Sequence, residues 1–154
     1  MIRLEQERVY GMERDAAFRY VTDPRNWPAY WPDLVGIDDP EARWRRPGDT
    51  MRLRMRLAGR ATDLVMVLDE YAPPSLVTYR TEQPGLPDAR HERHFERDGD
   101  GLRYRVAVSY DPRPGLDGLL DRTVVRWGIR RALRRTLDNL ERVLPPAGAR
   151  PPGP

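Results

Sequence analysis

The 154-residue chain contains no cysteine and no lysine, and only two histidines and two serines. Without cysteine there is no disulfide, no thiolate nucleophile and no zinc–thiolate site. Without lysine there is no Schiff-base chemistry, no anchor for pyridoxal phosphate and no phosphate-loop lysine, and no glycine-rich phosphate motif occurs either. Ser75 falls in a loop and Ser109 on the outward face of its strand, which argues against a Ser-His-Asp triad. The adjacent acids Asp38-Asp39 and Asp69-Glu70 diverge if extended, which argues against paired-carboxylate catalysis. No apolar run approaches the roughly 18 residues that a membrane-spanning helix needs. Met1-Ile2-Arg3-Leu4-Glu5 alternates apolar and charged where a signal peptide would be apolar, so the chain reads as cytoplasmic, with no integral membrane association.

What is present suits one core of amphipathic elements: 39% of residues are hydrophobic and 33% charged. All 27 basic residues are arginine, as a GC-rich coding bias would give, yet the net charge is only +3. A concentrated basic face is not evident, and no nucleic-acid partner is expected.

Hydrophobic period places the elements. Ile2 to Tyr10 reads as a strand, Asp15 to Val21 as a short helix, and Asp23-Pro24 as the capped start of another helical turn. From Leu34 to Tyr110 the pattern is β. Met51, Leu53, Met55 and Leu57 alternate with arginines, the signature of a strand with one buried and one wet face. Further strands run over Thr62–Tyr71, Leu76–Glu82, Arg90–Arg97 and Leu102–Tyr110, the last two joined by the turn Asp98-Gly99-Asp100-Gly101. A helix then runs from Leu116 to about Leu144, with Leu116, Leu120, Val124, Trp127, Leu133, Leu137, Leu140 and Leu144 expected on its inner face. Arg122, Arg126, Arg130 and Arg134 form a stripe that reads as a solvated face rather than a lipid or nucleic-acid contact. The Pro-rich residues 145–154 read as a disordered tail.

The stretch Phe18-Arg19-Tyr20-Val21-Thr22-Asp23-Pro24-Arg25-Asn26-Trp27-Pro28-Ala29-Tyr30-Trp31-Pro32 resembles the N-terminal signature of the SRPBCC superfamily, also called START-like or polyketide cyclase/dehydrase-like. The approach from Trp44 to Gly48 and the hairpin from Phe95 to Leu102 are similar too. The chain departs from that pattern at Gly11-Met12-Glu13, where many relatives have a small residue followed by proline. The resemblance implies an α+β helix-grip fold over residues 1–144: a curved antiparallel sheet of about six to seven strands wrapped around a long C-terminal helix, with two short helices after the first strand. It also implies an internal cavity for a hydrophobic ligand and chemistry without cofactors.

Strand parity selects the residues that would face such a cavity. His91, Arg93 and Phe95 share one face, and His94 takes the other, so the His91-x-x-His94 pair is split and no metal site is expected. Tyr79 and Thr81 on one strand, and Tyr104, Val106 and Tyr110 on another, join them. Met51, Leu53, Met55, Leu64 and Met66 supply apolar wall, Val124 faces inward from the helix and Trp127 caps the cavity. A mostly hydrophobic lining with a few converging polar groups suits a small molecule. Two readings of the polar groups stand side by side. In one, Arg93 binds an oxyanion, His91 is a general acid or base, and Tyr79 and Tyr104 assist. In the other, the tyrosines are amphipathic core residues and Arg93 pairs with a carboxylate such as Glu82. Trp27, Tyr30 and Trp31 read as core or cavity-entrance packing. The expected function is binding of a lipid-like or polyketide-like molecule. The alternatives are a cofactor-independent cyclase, aromatase or dehydratase, and a stress-related or interaction domain with a small cavity. Either a monomer or a homodimer is compatible.

Overall fold

The alternating segments pair into one seven-stranded sheet in the order β1-β7-β6-β5-β4-β3-β2, antiparallel throughout. The computed structural model describes residues 1–39, 41, 44–57 and 59–144, so the expected tail at 145–154 lies outside the described residues. The strands are β1 Ile2–Tyr10, β2 Leu34–Ile37, β3 Thr50–Leu57, β4 Arg60–Ala72, β5 Leu76–Glu82, β6 Ala89–Asp98 and β7 Gly101–Tyr110. Strands β2 to β7 follow one another as neighbours, and β1 joins the far edge by pairing with β7. Irregularities at Leu34/Gly36 and at Leu68/Glu70 break the register and help the sheet to bend.

Two short helices follow β1. Helix α1, Arg14–Thr22, is capped by Glu13, whose carboxylate accepts from the amides of Asp15 and Ala16 at 3.0 and 3.1 Å. An acid at that position therefore starts the helix without the proline. Asp23 accepts from the Arg25 amide and opens a 3-10 turn, Pro24–Asn26, which leads into α2, Trp27–Tyr30. Trp27 and Tyr30 both donate to the Val21 carbonyl, at 2.9 and 2.7 Å, and are fully buried. They cover one end of the sheet together with Phe18, Trp44 and Phe95.

The C-terminal helical element spans α3 (Leu116–Leu120), a π-turn (Asp121–Val125) and α4 (Arg126–Val143). No helix among the described residues is long and apolar enough to cross a membrane. Two polar clamps hold this element to the sheet. At its far end Tyr10 donates to the Leu137 carbonyl at 2.8 Å, and Arg8 reaches Asp138 and Glu141 at 2.6 and 3.2 Å. Leu137, Leu140 and Leu144 are buried there. At its near end Tyr110 donates to the Asp121 carbonyl at 2.6 Å. Arg113 grips the Asp121 carboxylate through Nε, Nη2 and its own amide, and these bonds, the Arg113 guanidinium first, hold that carboxyl below its ordinary pKa.

The near end corrects the sequence reading. Leu116, Leu120, Val124 and Trp127 point to solvent, and Trp127 is 62% exposed. The covered positions are Gly118 and Asp121. A periodicity argument assumes that apolar residues anchor the helix; here a backbone contact at Gly118 and an ion pair at Asp121 anchor it, and the apolar face turns outward.

Candidate ligand-binding site

Between the two clamps the helix does not close onto the sheet. A cavity of about 200 Å³ remains, lined by Leu53, Met55, Leu57, Leu64 and Met66 from β3 and β4, by Val106 and Val108 from β7, and by Val125, Ile129, Ala132, Leu133 and Thr136 from the helix. Tyr79, Thr81, His91, Arg93, Tyr104 and Tyr110 bring polar groups to the wall. Of the residues that strand parity selects, Met51 and Phe95 are buried in the core beside the cavity rather than in its wall. Val124 and Trp127 lie outside it, for the reason given above, and Val125 and Ile129 take their place. Trp31 also lines the cavity.

The register explains the polar cluster. Tyr79 is paired with His91, and Phe95 with Tyr104, so Arg93 sits diagonally between the two tyrosines on the concave face. Its Nε and Nη2 donate to the Tyr79 hydroxyl at 3.2 and 2.6 Å, and its Nη1 donates to the Tyr104 hydroxyl at 3.3 Å. The Trp31 and Tyr79 rings lie 5.0 and 5.3 Å from Cζ, within cation–π range. Arg93 is 9% exposed, and no carboxylate lies within 4 Å of it among the described residues. The expected partner Glu82 is exposed, because Val77, Tyr79 and Thr81 hold the inward parity of β5. Nη1 and Nη2 each make one hydrogen bond within 3.5 Å among the described residues, and the Tyr30 hydroxyl is a third phenol close to the guanidinium.

Burial works against the charge on Arg93; the phenols of Tyr104, Tyr79 and Tyr30 outweigh it and hold the pKa well above the ordinary value. The guanidinium is therefore a permanent cation. Burial raises the pKa of Tyr104 and of Tyr30 despite the opposing pull of Arg93, so both stay protonated. Tyr30 donates to the Val21 carbonyl and the Tyr104 oxygen accepts from Arg93, and neither is a base.

His91 stacks on Tyr79 with ring centroids 4.6 Å apart and planes 5° from parallel, and its Nε2 shares a hydrogen bond with Thr81 Oγ1 at 3.1 Å. Burial first, and the charge of Arg93 second, push its pKa down to about 3. The imidazole is neutral near pH 7. It can give or accept a hydrogen bond, but it holds no proton to deliver as an acid and is a weak base. His94 faces the other side of the sheet, against Glu92 at 3.2 Å. Glu92 is pulled down to about 2, chiefly by its bond to Arg3. The two histidines are thus split across the sheet, and no cluster of three metal-ligating side chains occurs among the described residues.

The family model described as "Polyketide cyclase / dehydrase and lipid transport" matches residues 1–145. No curated protein matches the chain significantly. Among solved structures, a START superfamily protein from Mycobacterium smegmatis is similar with a TM-score of 0.74 and 15% identity, covering 92% of this chain and 96% of that one. A protein from Thermus thermophilus gives a TM-score of 0.73 at 16% identity, over 96% of this chain and 100% of that one. A protein of the dynemicin biosynthetic locus gives 0.64 at 19% identity, over 93% of this chain but only 48% of its own. At these identities the likeness is one of fold.

Proposed function

The chain belongs to the polyketide cyclase/dehydrase and lipid transport family, within the SRPBCC superfamily, and from that premise we propose that it binds a hydrophobic small molecule carrying an acidic or enolic oxygen. The observation that carries this reading is Arg93. A buried cation is costly unless it is paired. Here its fork is oriented by phenols and two aromatic faces, with no carboxylate to neutralise it among the described residues. An anionic oxygen at that point would complete the pairing while the aliphatic walls held the apolar remainder.

A second reading is favoured by the same geometry. A guanidinium held by phenol oxygens, whose own O–H groups could donate to a substrate, would stabilise an enolate as it forms, the requirement of a cofactor-independent cyclase, aromatase or dehydratase on a polyketide-type substrate. His91, Tyr79 and Tyr104 would then position the substrate or relay a hydrogen bond.

Native mass spectrometry of protein purified from its own host, followed by denaturing release, tests the first reading. The expected result is an apolar molecule with one ionisable oxygen in stoichiometric amount, absent from the Arg93→Met variant. Equal occupancy of both proteins would contradict it. Turnover of a linear poly-β-keto thioester by wild type but not by Arg93→Met would establish the second.

A further inference from the structure

The outward face of the C-terminal helical element is apolar where a solvated helix is polar. Leu116, Leu119, Leu120, Val124 and Trp127 are between 51% and 84% exposed and occupy about three turns. At roughly 1.5 Å per residue that stripe is about 16 Å long. Around it and beyond it stand Arg122, Arg126, Arg130, Arg131 and Arg134, all exposed and none in an ion pair among the described residues. The Arg131 guanidinium lies over the Trp127 ring at 5.4 Å. The two acids of this stretch, Asp117 and Asp121, are both engaged by Arg113.

We propose that this face docks peripherally on an anionic lipid surface. Leucine, valine and tryptophan enter the interfacial layer, while the unpaired arginines meet the headgroups. Charge selects this occupant. In a two-fold pairing with a second copy, the arginine stripes would face each other without an acid to neutralise them. A bilayer of phosphatidylglycerol-type lipid offers negative charge and apolar depth together. This outward face changes the meaning of the arginine stripe, which from sequence alone reads as merely solvated. Val125 and Ile129 line the cavity from the inner side of the same helix, so docking would leave the cavity one helix diameter, about 10 Å, from the lipid. The proposal does not depend on what the cavity holds.

Flotation with vesicles tests it, using phosphatidylcholine alone and phosphatidylcholine mixed with phosphatidylglycerol. The full chain is expected to float with the anionic vesicles, less in high salt and little with the neutral ones. Leu120→Ser combined with Trp127→Ser is expected to reduce partitioning at least tenfold. Arg126→Gln with Arg130→Gln is expected to reduce it about fivefold per arginine. Arg60→Gln, at the exposed start of β4, leaves it unchanged. The proposal is overturned if wild type ignores anionic vesicles, if the helix variants float as well as wild type, or if those variants instead dissolve a concentration-dependent dimer in lipid-free solution.

Discussion

Arg93 poses its question one side chain at a time. If it served the fold, it would have a carboxylate, as Arg113 has Asp121 and Arg8 has Asp138. Instead its bonds go to phenols, which satisfy donors without neutralising charge. Methionine has similar length and would relieve the desolvation of the guanidinium, at the cost of two unpartnered hydroxyls. Arg93→Met is therefore expected to unfold in urea within about 2 kcal/mol of wild type, whereas breaking a structural buried ion pair costs about 3–5 kcal/mol. A loss in the upper range would make Arg93 a structural residue. His91 and Arg93 were legible as cavity residues because a strand fixes parity. The absence of a carboxylate at Arg93 was not legible, because it depends on which neighbouring strand brings which residue, and Glu82 lies one position out of phase.

Helical elements carried less information than strands. β3 shows its inward face as plain alternation and the buried residues follow it, whereas β7 alternates only as far as Val106, beyond which Ala107 and Ser109 on the other face are buried too. The C-terminal helix does so only from Leu133 onward. Nearer its start, sequence period selects Leu116, Leu120, Val124 and Trp127, whereas Gly118 and Asp121 are covered. A β-carbon on Gly118 would collide with the Arg113 carbonyl. Alanine is the better helix former by about 1 kcal/mol, so intrinsic propensity favours Gly118→Ala. The contact reverses the sign: the variant is expected to lose more than about 1 kcal/mol in chemical denaturation, with the loss of amide protection concentrated at residues 113–125. A stabilised variant would show that α3 is not seated on that carbonyl.

For the molecule as a whole, one half-buried histidine in the cavity wall sets a pH dependence. In the unfolded chain His91 has an ordinary pKa near 6.5; in the fold it is pushed down to about 3. Between these values the unfolded state holds a proton that the native state refuses. Stability is therefore expected to fall as pH drops from about 6.5 towards 3, by at most about 1.4 kcal/mol per pH unit. Glu92, pulled from 4.5 to about 2, adds to the loss only in the lower part of that range. Urea midpoints between pH 6.5 and 4.5 isolate the histidine: His91→Gln is expected to flatten the slope, and an unchanged slope would place the proton elsewhere. The global architecture, seven strands gripping one long helix, was legible because period, turn residues and the Phe18–Pro32 signature agree. The ligand was not, since a cavity wall of leucine, methionine and valine accepts many shapes.

The most direct test of Arg93 as the anchor of the cavity is a calorimetric titration of dodecanoate and of dodecanol into wild type and into Arg93→Met. A charge-assisted bond to a buried guanidinium contributes about 1.5–3 kcal/mol, or tenfold and more in affinity. Dodecanoate is expected to bind wild type at least tenfold more tightly than the variant, while dodecanol binds both alike. Equal dodecanoate affinity for the two proteins would contradict the claim that Arg93 holds the ligand's charged end.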